Sequence, residues 1–283
     1  MNYKGLLKSY SLLPRKRFSQ NFLTDKNVAI RIIECLGLSE GDTVIEIGPG
    51  LGILTEGLLG SGARIIAIEI DRDLAVKLRE RFCDCNNLEI ISADALKISY
   101  KSLIACRGAR PYAPTKLVSN LPYNISTPII FKLLEERDIF SMFLFMLQKE
   151  VAQRIVSPPD TKEYGVLSVM VQLFADVKSE FDVPPSCFYP VPKVYSSVVR
   201  FNILDKPRVE LDDIDFFKKV VKASFGQRRK TLLNALKSFD IKTSQLIELF
   251  SKININPKRR GETLNLDEFA VLSRELKKLQ TES

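Results

Sequence analysis

A short β-branched run, Thr43-Val44-Ile45-Glu46-Ile47, passes straight into Gly48-Pro49-Gly50-Leu51-Gly52 and then into a helical pattern, Ile53 to Leu59. A strand that turns through glycines into a helix opens a βαβ unit and demands a partner strand alongside. Such strands follow. Arg64 to Ile70 is the next, closed by Asp71, and Leu74, Leu78 and Phe82 then share one helix face. Leu88 to Ile91, Lys116 to Ser119 and Met142 to Leu147 read as further strands, with Pro128 to Glu136 a helix between the last two. Upstream, Asp25 to Leu36 places Val28, Ile32, Ile33 and Leu36 at helical spacing, with Gly37 as the stop. Strands separated by helices imply an α/β fold: a parallel sheet with helices on both faces.

The pattern changes toward the C-terminus. Pro184 to Pro192 is a proline-rich loop, and Val194 to Ile203 a last strand. Beyond Pro207 only helical patterns remain: Phe216 to Phe225, Lys230 to Leu236, Ser244 to Phe250 and Leu266 to Leu279. The expected organisation is an α/β domain over 1–206 and a small all-helical domain over 207–283. Ser99 to Thr115 reads as a long loop. The formal net charge is +8, and 206–283 holds 17 of the 42 basic residues but only 11 of the 34 acidic ones. That excess points the helical domain toward a polyanion.

Histidine is absent from all 283 residues. This excludes Ser-His-Asp and Cys-His nucleophilic catalysis, His-ligated zinc, and a side-chain base that titrates unperturbed near neutrality. The five cysteines are scattered, and Cys83-Asp84-Cys85 is too tight and isolated for a zinc site. No metal site is expected. Scattered thiols, no signal-like start and no apolar run near 18 residues point to a cytoplasmic chain without a membrane span.

The glycine turn alone is compatible with a plain strand-to-helix connection. Its neighbours narrow it. Glu69 ends the following strand, 21 residues after Gly48, where a carboxylate accepts both hydroxyls of a ribose. Asp94 follows the next strand and can reach an adenine amine from the same sheet edge. The loop opens with Glu46 and contains Pro49, which suits an ammonium group better than the pyrophosphate of a dinucleotide. Glu46-x-Gly48-x-Gly50-x-Gly52 resembles the glycine motif of S-adenosylmethionine-dependent methyltransferases.

Asn120-Leu121-Pro122-Tyr123 follows the fourth strand directly. An amide oxygen and a backbone carbonyl there can accept the two N–H bonds of a planar amine, Pro122 fixes the turn, and Tyr123 offers a stacking face. An ordinary turn is the other reading. Four more segments narrow the resemblance: Arg17-Phe18-Ser19-Gln20-Asn21-Phe22-Leu23, Tyr164-Gly165-Val166-Leu167-Ser168-Val169, Phe188-Tyr189-Pro190-Val191-Pro192-Lys193-Val194, and Phe225-Gly226-Gln227-Arg228-Arg229-Lys230-Thr231-Leu232. Together and in this order they resemble the ribosomal RNA adenine N6-dimethyltransferases, over about residues 14–275, most closely the bacterial small-subunit (16S) type.

That resemblance implies a Rossmann-like class I methyltransferase sheet and S-adenosyl-L-methionine as cofactor. It implies two methylations on each of two adjacent adenosines in a hairpin loop near the 3′ end of 16S rRNA, within the small subunit or its precursor. Gln20, Asn21, Leu23, Glu46, Gly48, Gly50, Gly52, Glu69, Asp94 and Asn120 would meet the cofactor. Asn120, Leu121, Pro122 and Tyr123 would meet the target base, with Phe188 as a second aromatic clamp. Phe18, Phe22 and Phe188 are equally readable as core aromatics. Arg15, Lys16, Arg17, Arg228, Arg229 and Lys230 would contact phosphates, and Lys258-Arg259-Arg260 is a third basic cluster; each is also readable as a solvated face. Nothing demands a dimer, so a monomer is expected. The rival readings are a large-subunit methyltransferase of the erythromycin-resistance type, a DNA adenine methyltransferase, a non-catalytic ribosome-assembly factor and a dinucleotide oxidoreductase.

Overall fold

The computed structural model describes residues 5, 14–15, 20–106, 115–226 and 230–282. Among these the strands are β1 (Phe22–Leu23), β2 (Thr43–Ile47), β3 (Arg64–Glu69), β4 (Leu88–Ser92), β5 (Thr115–Asn120), β6 (Phe140–Gln148), β7 (Ala175–Val183), β8 (Phe188–Tyr189) and β9 (Ser196–Ile203). The described residues divide into two compact units. One lies within Met1–Ala152 and Asp176–Ile203, the other within Gln153–Ala175 and Leu204–Ser283.

The first unit is built on a seven-stranded sheet of order β4-β3-β2-β5-β6-β9-β7. Strands β4, β3, β2, β5 and β6 are parallel, and β9 runs antiparallel to β6. The sheet is therefore mixed, where the strand–helix alternation suggests a parallel one. Every residue of β2 is buried, as expected of a central strand covered on both faces. Helix Lys26–Leu36 begins where the Asp25 side chain accepts the backbone N–H groups of Asn27 and Val28, and ends at Gly37 in the left-handed region. Its buried face, Val28, Ala29, Ile32 and Leu36, joins the core. Strands β1 and β8 form a separate two-stranded ladder, Phe22 opposite Tyr189 and Leu23 opposite Phe188.

Two segments depart from the sequence reading. Within Ser99 to Thr115, Tyr100–Ala105 is a helix capped by Ser99, and Tyr100 is fully buried with its hydroxyl donating to the Ala95 carbonyl at 3.0 Å. Strand β7 gives no strand signal because it lies at the sheet edge, where one face of Asp176 to Asp182 meets water and carries charge.

The second unit is helical: Val166–Phe174, Ile214–Phe225, Leu232–Ala235, Thr243–Lys252 and Leu266–Glu282. Its core sets Phe217 edge-on to Phe269, tilts Phe225 against Phe269 and sets Tyr164 edge-on to Phe225. Asp213 caps the helix Ile214–Phe225 and pairs with Lys277 at 2.7 Å. The segment Gln153–Ala175 clusters with these helices rather than with the sheet. Among the described residues no helix is long and apolar enough to cross a membrane.

Candidate active site

The carboxyl ends of β2, β3, β4 and β5 surround a cavity of about 280 Å³. In open α/β sheets this edge is where ligands bind, because the turns leaving the strands diverge there. The turn after β2 is held by the Gly48 N–H donating to the Ile68 carbonyl at 2.9 Å. Its three glycines have distinct reasons to be glycine. All sit at positive φ, but a Cβ on Gly48 would meet nothing within 4 Å, whereas one on Gly52 would stand 2.8 Å from the Phe82 ring and 2.9 Å from Leu78. Gly48 and Gly50 line the cavity; Gly52 serves packing.

Glu69 lies on the cavity wall, 3% exposed. Its carboxylate accepts the N–H of Gly50 at 3.1 Å and of Asp71 at 2.9 Å, which fixes both oxygens at the end of β3. Burial pushes its pKa up to about 7. Beside it Ile70 is a large apolar side chain left 45% exposed at the wall, a flat contact for a base. Asp94 is also on the wall; one oxygen accepts the Leu96 N–H at 3.0 Å and the other is 3.9 Å from Lys97. Glu46 borders a smaller recess, about 20 Å³, with Leu23, Gly48 and Asn120. The Thr55 hydroxyl donates to it at 2.6 Å, and burial raises its pKa to about 7.

Across the cavity, Asn120, Leu121, Pro122 and Tyr123 form one stretch of wall. The Asn120 Nδ2 donates to the Asn21 carbonyl at 2.9 Å. That bond orients the amide and leaves Oδ1 as the acceptor end. The Tyr123 hydroxyl pairs with the Ser196 hydroxyl at 2.9 Å. Burial raises the Tyr123 pKa, so the phenol stays neutral. Phe188, expected as a second clamp, is fully buried in the apolar cluster with Phe22, Leu23, Cys187 and Val198, where it stands opposite Leu23 of β1.

The segment before β1 completes the wall with Gln20 and Asn21. Gln20 Oε1 accepts the Arg15 backbone N–H at 2.7 Å, and its Nε2 donates to Asp71 at 3.2 Å. Arg15 itself pairs with Asp71 at 2.9 Å and also with Asp73. Two carboxylates thus already hold Arg15, the residue expected to meet phosphate. Asp71 was not singled out from the sequence, although its place two residues after Glu69 at a helix N-cap is a legible signal. Lys230 is exposed. Lys16, Arg17, Arg228 and Arg229 lie outside the described residues. In the third basic cluster, Arg259 forks onto Glu268, one arm at 3.0 Å, and donates to the Thr263 carbonyl. That cluster is internal bracing in part.

The profile described as "Ribosomal RNA adenine dimethylase" matches residues 12–278. "Ribosomal RNA small subunit methyltransferase A" of Geobacter metallireducens is 47% identical over 262 residues, 92% of this chain and 94% of that relative. The crystal structure of a dimethyladenosine transferase from Plasmodium falciparum is similar with a TM-score of 0.76 at 26% identity, covering 91% of this chain and 98% of that one. That of 23S rRNA methyltransferase ErmE follows with 0.67 at 25% identity, covering 91% and 100%. A profile match along nearly the whole chain, on a sheet whose carboxyl edge carries Glu69, Asp94 and Asn120, shows that this chain belongs to the ribosomal RNA adenine dimethylase family.

Proposed function

We propose that this chain dimethylates the N6 amines of two adjacent adenosines in a hairpin loop near the 3′ end of 16S rRNA, in the small subunit or its precursor. The greater likeness to small-subunit relatives than to the 23S enzyme supports that substrate. Members of this family depend on S-adenosyl-L-methionine, which when bound supplies an electrophilic methyl on a sulfonium. The wall fits such a group: Glu69 for the ribose hydroxyls, Ile70 and Asp94 for the adenine, and the bare backbone of Gly48 where a side chain would intrude. Leu23 and Glu46 border the adjoining recess, with Glu46 placed for an ammonium.

The observation that carries the reading is the amide of Asn120, whose nitrogen is engaged by the Asn21 carbonyl so that its oxygen is the end offered to an amine. The exocyclic nitrogen of adenine is a weak nucleophile because its lone pair is delocalised into the ring. Accepting its two N–H bonds at Asn120 Oδ1 and the Leu121 carbonyl draws it toward tetrahedral geometry and aims the lone pair. Positioning of this kind supplies much of the acceleration. Tyr123, tethered through Ser196, presents its ring to the unstacked base. The methylated nitrogen is strongly acidic, so its proton leaves to water without a histidine.

In this reading 1–206 carries the chemistry, while 207–283 docks the RNA as one basic surface that includes Lys230, with Lys16, Arg17, Arg228 and Arg229 as further phosphate contacts. The chain acts as a monomer in the cytoplasm. The test is transfer of labelled methyl to unmethylated small and large subunits, with the modified nucleotides mapped. Asn120→Ala should lose turnover by on the order of 10²-fold or more while calorimetry finds cofactor binding within a few-fold. Methylation of large subunits alone, or full turnover by Asn120→Ala, would overturn the assignment.

A further inference from the structure

Ten large apolar side chains are more than a third exposed among the described residues, and four of them fall within seven positions: Tyr189 at 42%, Val191 at 63%, Val194 at 43% and Tyr195 at 52%. Apolar exposure concentrated this way marks a contact surface rather than incidental exposure. The loop that bears it is stiffened by Pro190 and Pro192 and rooted by β8 on β1.

Its position relates it to the active site. Ser196 lies opposite Gln148 at the start of β9, so Tyr195 sits at the carboxyl end of β6, the sheet edge that also carries Asn120. The Tyr195 carbonyl accepts the Lys149 N–H at 2.9 Å, and the next residue, Ser196, holds the Tyr123 hydroxyl. The surface is thus continuous with the wall that presents Tyr123. Basic side chains stand beside its aromatic ring. The Lys149 ammonium lies 5.9 Å from the centre of the Tyr195 ring, shared with Asp182 at 2.5 Å, and Lys193 is exposed in the same loop.

An adenosine turned out of its stack leaves its chain neighbours unstacked as well, and those bases need new faces. Aromatic rings beside lysines supply a face for a base and a counter-charge for its phosphate, at a stretch without base-specific donors. We infer that the ridge Tyr189–Tyr195 binds the unpaired nucleotides flanking the target adenosine, with Tyr195 as the principal stacking face and Lys193 on the backbone. The inference deepens the proposed function and rests on it.

The experiment uses the full chain with unmethylated small ribosomal subunits, together with an RNA hairpin carrying 2-aminopurine next to the target adenosine. Tyr195→Ala should raise the KM for the subunit roughly tenfold, within the range set by loss of one base stack. It should leave kcat within about twofold, leave cofactor affinity unchanged and abolish quenching of the 2-aminopurine. Tyr195→Phe, which keeps the ring, should behave as wild type. A double variant, Tyr189→Ala with Val191→Ser, should raise KM in the same direction and stands in should Tyr195→Ala fold poorly. Unchanged KM and quenching in both variants, the same loss in Tyr195→Phe, or a shift in sedimentation instead of in RNA affinity would overturn the inference. Wild-type chain inactive on any RNA would fail the proposed function itself, and is distinguishable because every comparison is made against wild-type turnover.

Discussion

Asp71 joins the two halves of the active site. Its N–H is received by Glu69, its carboxylate receives Arg15 and Gln20, and the residue after Gln20 gives the carbonyl that orients Asn120. Asp71→Asn keeps the shape but removes one of the two charges that hold Arg15. Loss of one charge-assisted hydrogen bond at a partly exposed pair should weaken cofactor binding roughly tenfold. Turnover should fall as well, because the Asn21 carbonyl loses its brace. Calorimetry with single-turnover kinetics separates the two effects, and Arg15→Lys should retain most of both. Unaltered turnover in Asp71→Asn would show that the Asn120 amide is held without this chain of contacts. The pairing with Arg15 was not legible in the sequence, since Arg15 and Asp71 stand 56 positions apart and nothing local pairs them. Glu69 and Asn120 were legible because each ends a strand, and Asp94 because it stands two residues beyond β4; strand ends share one edge.

At the level of elements, the turn after β2 offers a direct comparison. Gly52→Ala drives a Cβ against Phe82 and Leu78 at positive φ. It should destabilise the fold by about 2 kcal/mol or more, read as a drop in Tm. Gly48→Ala meets only open space and should cost the fold about 1 kcal/mol, from its positive φ alone. Its larger effect should be on cofactor affinity, since the methyl would enter the cavity. The central strands were readable because burial on both faces makes them continuously apolar, as in Ile65 to Ile68. β7 was not, as an edge strand with charge on its open side. β8 was hidden for a related reason: the prolines around Phe188 read as loop, and the two-residue ladder to β1 leaves no periodic trace.

Over the whole molecule, two buried carboxyls link folding to pH. Glu46 and Glu69 titrate near 7 in the fold against 4.5 ordinarily, because burial disfavours their charged forms. Between those values the folded chain holds protons that the unfolded chain has released. Their contribution to stability is therefore full below about pH 4.5 and is lost as pH rises through 7, by up to roughly 3 kcal/mol each. Glu69→Gln should flatten the fall in Tm of the free protein across that window, and a slope identical to wild type would refute the linkage. Cofactor affinity should run the other way, rising through pH 7 as Glu69 ionises and becomes a full acceptor.

Among the described residues the cavity wall carries two carboxylates, Glu69 and Asp94, and neither a lysine nor an arginine. Such a wall distinguishes ligands by charge as well as by shape. Methyl transfer turns a sulfonium into a neutral thioether, so each turnover cancels the positive charge that the acidic wall attracts. The wall therefore favours a cationic ligand by its charge, and Asp94→Asn should lower affinity for the cofactor more than affinity for the neutral product, read by calorimetry.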